Sequence, residues 1–187
     1  MNNSKVRGIV YPAIGAVIIA ILAQITIPFP LVPNTAQPLA LGLMATVFGK
    51  KYGTTATLVY VLMGAIGLPV FAGMSGGLGI ILFGPTGGYI MFFPIMVFMI
   101  GLLIEKLPKH MASVIFANVL MTMILLFVGT WRMSAVVDIP YTMAMTNGVM
   151  PFIVTNPVQA VMASLIGVRV ARSLNMGFNV KSNLVKA

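Results

Sequence analysis

Groups able to move protons or hold charge are scarce in this chain. The only acidic side chains are Glu105 and Asp138, the only histidine is His110, and there is no cysteine. Disulfides, thiol catalysis and Cys-based zinc are excluded. An acid–base dyad needs both carboxylates on one side, and Glu105 and Asp138 fall in connections expected on opposite sides of a helix. His110 stands alone as a metal or triad candidate, and interfacial solvation accounts for it. No P-loop lysine motif is present, so the chain is expected to hydrolyse no nucleotide itself. No catalytic residue, metal site or cofactor is expected. What remains are uncharged polar groups: Asn34, Thr35 and Gln37; Ser75 and Thr86; Tyr89; and Asn156 with Gln159 three residues on, sharing a helix face. Amides and hydroxyls in an apolar concavity suit a small, mostly neutral ligand with urea- or amide-like groups. Helix–helix hydrogen bonding is the competing use of each.

The elements that would position these groups are membrane helices. Of 187 residues, 59% are hydrophobic and 7% charged, against roughly a quarter charged in soluble domains. Six apolar segments emerge, near residues 8–27, 37–49, 52–67, 88–104, 111–131 and 149–171, within one integral membrane domain over 1–187. Lys5 and Arg7 precede the first. Lys50 and Lys51 join the second and third, and Lys106 and Lys109 the fourth and fifth. Arg169, Arg172, Lys181 and Lys186 close the chain. Ten of the eleven cations then share one side, with Arg132 alone on the other. Both termini are therefore expected in the cytoplasm. The net charge of +9 is spread between apolar runs, which argues against a nucleic-acid surface. The basic, apolar N-terminus reads as a retained helix, because Pro28–Pro38 follows where a cleavage site would fall. The sixteen Met residues read as apolar filler.

The connections on the Arg132 side are unusual. Residues 28–36 and 68–87 are rich in Gly and Pro and carry no charge, so regular helix is not expected through them. Irregular backbone near a membrane is buried in protein or lines a cavity, which gives these loops a ligand-covering role. At Asn156-Pro157 the last helix either restarts, with Asn as cap and Pro at its first position, or kinks as one continuous helix. Ala16 and Ala20, four apart on the first helix, allow close approach of a partner helix.

These residues together resemble the BioY family, the biotin-specific S components of energy-coupling factor (ECF) transporters. Val32-Pro33-Asn34-Thr35-Ala36-Gln37 is similar to the family's V-P-x-T-x-Q segment. Gly67-Leu68-Pro69-Val70-Phe71 and Gly84-Pro85-Thr86-Gly87-Gly88-Tyr89 are similar to its G-L-P-V-F and G-P-T-G-G-Y segments. Many members carry P-G-D-x-x-K-A at the last helix. The aligned stretch here, Val154 to Ala160, has Asn156 and Gln159 in place of the acid and the lysine. The resemblance implies an all-α membrane bundle of six transmembrane helices, S-component-like, in the bacterial cytoplasmic membrane. It implies biotin held under two external loops by residues among Asn34, Gln37, Phe71, Ser75, Thr86, Tyr89, Asn156 and Gln159. It also implies partners: a transmembrane coupling protein, docked on Ala16 and Ala20, and a pair of cytoplasmic ATPases. An S component for another biotin-like acid such as lipoate, and an autonomous carrier, are the alternative readings. An intramembrane enzyme is disfavoured by the absence of a nucleophile–base pair.

Overall fold

Apolar side chains leave the backbone no water to bond at membrane depth, so its polar groups must pair internally, and helices do this within one segment. The structure, a computed structural model, describes residues 3–174. Lys181 and Lys186 lie outside the described residues, as do the side chains of Lys5 and Arg7. In chain order come α1 (Asn3–Ala23), β1 (Thr26–Ile27), β2 (Asn34–Thr35), α2 (Gln37–Ala65), α3 (Leu78–Phe83), α4 (Gly87–Lys106), α5 (Met111–Val137), α6 (Tyr141–Gly148), a 3-10 turn (Met150–Phe152) and α7 (Thr155–Ser173).

α2 is a hairpin of two limbs. Gly49 breaks it with φ 69° and ψ −176°, a conformation essentially reserved for glycine. The limbs then run side by side. A Cβ at Gly53 would fall 2.6 Å from the Met44 carbonyl oxygen, and Gln37 at one limb's start reaches Tyr60 near the other's end. The separate segments expected at 37–49 and 52–67 are these two limbs.

Contacts at the ends show that the chain passes up and down between two poles. Tyr11 of α1 stacks on Phe48 at 5.5 Å and meets Tyr52 edge-on at 5.8 Å. Lys50, in the hairpin turn, pairs with Glu105 at the end of α4 at 2.6 Å. The start of α1, the α2 turn and the end of α4 therefore share one pole, rich in Lys. β1 and β2, the loop over 66–77 and the starts of α4 and α7 lie at the other. Between them Asn118 of α5 donates to Thr46 of α2 at 3.2 Å, an interhelical bond of the kind that fixes helices in apolar surroundings.

Several boundaries differ from expectation. α1 ends at Ala23, not near residue 27, because Thr26 and Ile27 pair antiparallel with Thr35 and Asn34. α5 runs on past residue 131 to Val137, where Asp138 turns the chain at φ 55°. α6 was not expected, its Thr- and Asn-containing sequence being less apolar than a span. α3 lies inside the 68–87 connection. The last helix starts at Thr155, not near residue 149, and is bent by 42° from the segment before it. By length and apolarity, α4 and α5 can each cross a membrane among the described residues, and the bent α6–α7 pair makes a third candidate. Gly8–Ala23 is a shorter apolar stretch, and the break at Gly49 leaves each limb of α2 short of the ~20 residues of a simple span.

The expectation that Ala16 faces a partner protein is corrected. Ala16 is 1% exposed and sits in the core, and Ala20 is partly buried against the same cluster. The small residues let α1 lie close on the α2 hairpin, where a Cβ on neighbouring Gly15 would strike Ala56 and Met44. The outward face of α1 carries Ala13, Ile14, Val17 and Ile21 instead. The same close packing predicts that Gly53→Ala, which drives a methyl onto backbone, lowers unfolding stability by about 1–3 kcal/mol. Gly8→Ala, inside α1 with nothing within 4 Å, should hold or slightly raise it, since Ala favours helix over Gly. Thermal unfolding of the purified variants in detergent checks both.

Candidate ligand-binding site

The pole opposite the lysines holds a cavity of about 190 Å³, far more than one water needs. β2, the 66–77 loop and the first turns of α2, α4 and α7 surround it, with α5 as one wall. Asn34, Gln37, Phe71, Ser75, Thr86, Tyr89 and Asn156 all line it, with Phe93, Leu125, Leu126 and Phe152 among the apolar walls. Gln159 does not.

The start of α2 explains why. Pro38 has no N–H, and the cap residue, Ala36, has no side chain that could cap the helix. Thr35 Oγ1 accepts from the Gln37 backbone N–H at 3.2 Å and donates to Gln37 Oε1 at 2.9 Å. Gln159 reaches across from α7: its Oε1 accepts from the Leu39 N–H at 3.2 Å, and its Nε2 donates to the Thr35 carbonyl at 3.1 Å. Helix starts leave N–H groups unpaired, and here an amide from another helix satisfies one. Gln159 thus positions Asn34, Thr35 and Gln37 and is not a lining group. Asn34 Nδ2 adds a bond to Thr155 Oγ1 at 3.2 Å.

Spare hydrogen-bonding capacity differs sharply among the lining residues. Gln37 spends its carbonyl on Thr35 and one N–H on Tyr60 at 2.7 Å, leaving one N–H. Tyr89 was expected to offer its hydroxyl. That hydroxyl lies 2.7 Å from the Thr130 hydroxyl and donates to the Gly148 carbonyl at 3.2 Å. The Tyr89 ring rests on Gly129, where any Cβ would overlap it. Tyr89 therefore contributes ring surface, and its oxygen ties α4 to α5 and to the end of α6. Asn156 is the opposite case. It is 3% exposed, lines the cavity, and its side chain has no hydrogen-bond partner among the described residues. Its amide opens onto the cavity with its donors and acceptor unspent, so this group is available to a ligand or water. It occupies the second position of α7, not the cap, so the helix restarts as one of the two readings held, two residues earlier than Asn156-Pro157 suggested.

Gln24 escaped notice in the sequence. Just past α1, its Nε2 lies within 3.1–3.2 Å of the Val70 and Phe71 carbonyls, and its Oε1 accepts from Met74 N–H at 2.9 Å. It shapes the loop that carries Phe71, whose ring packs edge-on to Tyr60 at 5.6 Å and fills the space left by the missing side chain of Gly64. A lone amide ending an apolar helix was the available signal.

The helices and the uncharged cavity among the described residues mark a membrane protein with a candidate small-molecule site at one pole of its bundle. Comparison with known proteins gives the family. The BioY family model matches residues 1–176, and the chain belongs to that family. It is 33% identical over 175 residues to the biotin transporter BioY2 of Lactococcus lactis subsp. cremoris, covering 94% of this chain and 96% of that protein. It is 38% identical over 166 residues to the biotin transporter BioY of Thermotoga maritima, covering 89% and 96%. A crystal structure of the S-component for biotin from an ECF-type ABC transporter superposes with a TM-score of 0.84 at 28% identity, covering 92% of this chain and 94% of that one. The named relatives are transporters, a function of transport and not catalysis.

The two amides of α7 should separate in experiment. Asn156→Ala loses no bond within the protein, so its unfolding temperature should hold while affinity for biotin, the ligand named for the relatives, falls several-fold, on the order of 1 kcal/mol. Gln159→Ala uncaps α2 and should cost about 0.5–2 kcal/mol of stability, with any affinity loss following from it. Thermal unfolding and ligand titration on the same preparations test the contrast.

Proposed function

We propose that the chain is the substrate-binding S subunit of a bacterial ECF-type vitamin transporter. It takes biotin into the cavity at the external face and delivers it inward with an ATP-driven module. The unpartnered amide of Asn156 in a neutral, aromatic-walled cavity supports this most strongly. Biotin's ureido ring offers two N–H donors and a carbonyl acceptor. Asn156 can meet either kind, Gln37 has one N–H to give, and Asn34 retains its carbonyl oxygen. Phe71, Phe93 and Phe152 suit the thioether ring and alkyl chain. Lipoate lacks the ureido group and would leave Asn156 unpaired, which favours biotin.

The topology fits six membrane passes: α1, the two limbs of α2, α4, α5 and α7. Lys50, Lys51, Lys106, Lys109, Arg169 and Arg172 gather at the pole away from the cavity, which the positive-inside tendency assigns to the cytoplasm of a multi-pass protein. The loops at 28–36 and 68–87 then cover the ligand from outside. The energy comes from partners, because the sequence carries no nucleotide-binding motif. The coupling protein would meet the exposed flank of α1 at Ala13 and Val17, with Ala20 at its edge.

Purified protein should bind biotin saturably, with lipoate a poor competitor. In proteoliposomes, uptake should require the coupling protein, the ATPases and ATP. Uptake by this chain alone would replace the proposal with an autonomous carrier.

A further inference from the structure

We propose that this cavity recognises biotin without an ion pair to its carboxylate, so that it takes neutral carboxyl derivatives, the biotinyl amides and esters, nearly as well as the acid. The inference rests on the biotin reading above and specifies its substrate class.

Among the described residues, no Lys, Arg or His lines the cavity. Arg132 is the described cation at that pole; it is not among the lining residues, and its Nη1 is buried without a hydrogen-bond partner. Nη2 donates to the Leu82 carbonyl at 2.9 Å, near the end of α3, and the base of the side chain packs where Gly88 has no Cβ. The remaining described cations of the connections and of α7 belong to the opposite pole.

Positive potential in the cavity comes from helix starts. α2, α4 and α7 all begin at its wall. A helix N-terminus favours an anion by only a few-fold near a surface, and at α2 the Gln37 and Leu39 N–H groups are already taken by Thr35 and Gln159. Asn156, buried and unpartnered, is a second feature aimed at a ligand, but an amide bonds a carbonyl oxygen or an N–H whatever the ligand's overall charge. Burial of a carboxylate among Phe71, Phe93, Leu125 and Phe152 would carry a heavy desolvation cost with no counter-charge. The carboxylate therefore belongs at the mouth, in water, where an amide or ester substituent is equally at home. A site built on an ion pair behaves otherwise: removing one partner of a buried pair costs on the order of a hundredfold or more in affinity.

The test is competition on purified, monodisperse protein at neutral pH, with labelled biotin displaced by biotin, biotinamide and biotin methyl ester. Both neutral compounds should compete within about tenfold of the acid, and Arg132→Gln should leave that ratio unchanged. A preference for the acid beyond tenfold overturns the inference, and its collapse in Arg132→Gln would identify the cation responsible. Binding of the neutral compounds without the acid would uphold neutral recognition and reject biotin as the substrate. If none of the three binds, in direct titration as in competition, the biotin reading falls and this inference with it.

Discussion

The hydrogen bonds from Gln159 to the start of α2 couple the parts of the candidate site. A helix that begins in low-dielectric surroundings has N–H groups that water cannot reach, and each must find an acceptor. At α2 the local sequence offers little, since Ala36 is the cap residue and Pro38 contributes no donor. An amide at the fifth residue of the facing helix closes the gap. In doing so it ties α7 to β2 and to the first turn of α2, the elements that bring Asn156, Asn34, Thr35 and Gln37 to one cavity.

A similar logic runs through the rest of the pole. Gln24 organises the backbone of the 70–74 loop, and the Tyr89 hydroxyl ties α4 to Thr130 and Gly148. Glycines at 64 and 129 let Phe71 and Tyr89 lie flush against neighbouring helices. Most polar groups near the cavity are thus spent on holding backbone in irregular shapes. The few left over, Asn156 above all, are what a ligand can use. A cavity that is neutral yet provided with donors and acceptors matches a cyclic urea better than it matches an ion.

Much of this was legible in the sequence. The apolar segments separated by paired lysines marked helices, and seven of the eight residues singled out do line one cavity. The failures share a cause. Spacing shows that Asn156 and Gln159 lie on one side of a helix, but not that one faces a void and the other a helix start. Tyr89 reads as a hydroxyl in sequence, but its hydroxyl is spent on Thr130 and Gly148. Ala16 was read as an outer surface because small residues serve equally well against a neighbouring helix of the same chain. Gln24 was passed over because its partners are backbone atoms some fifty residues away, and backbone acceptors leave no trace in sequence. The α6 segment is short and mixed in polarity, so no periodicity announced it.

In the proposed binding mode the ligand lies against Asn156 and the first turn of α2, with Gln159 outside the cavity. Determining the structure of the purified protein with biotin bound addresses this directly. The ureido ring should lie within hydrogen-bonding distance of the Asn156 amide, with the Gln159 bonds to Leu39 and Thr35 intact and no cation at the carboxylate. Biotin seated elsewhere, or Gln159 swung away from α2 to contact it, would overturn this binding mode.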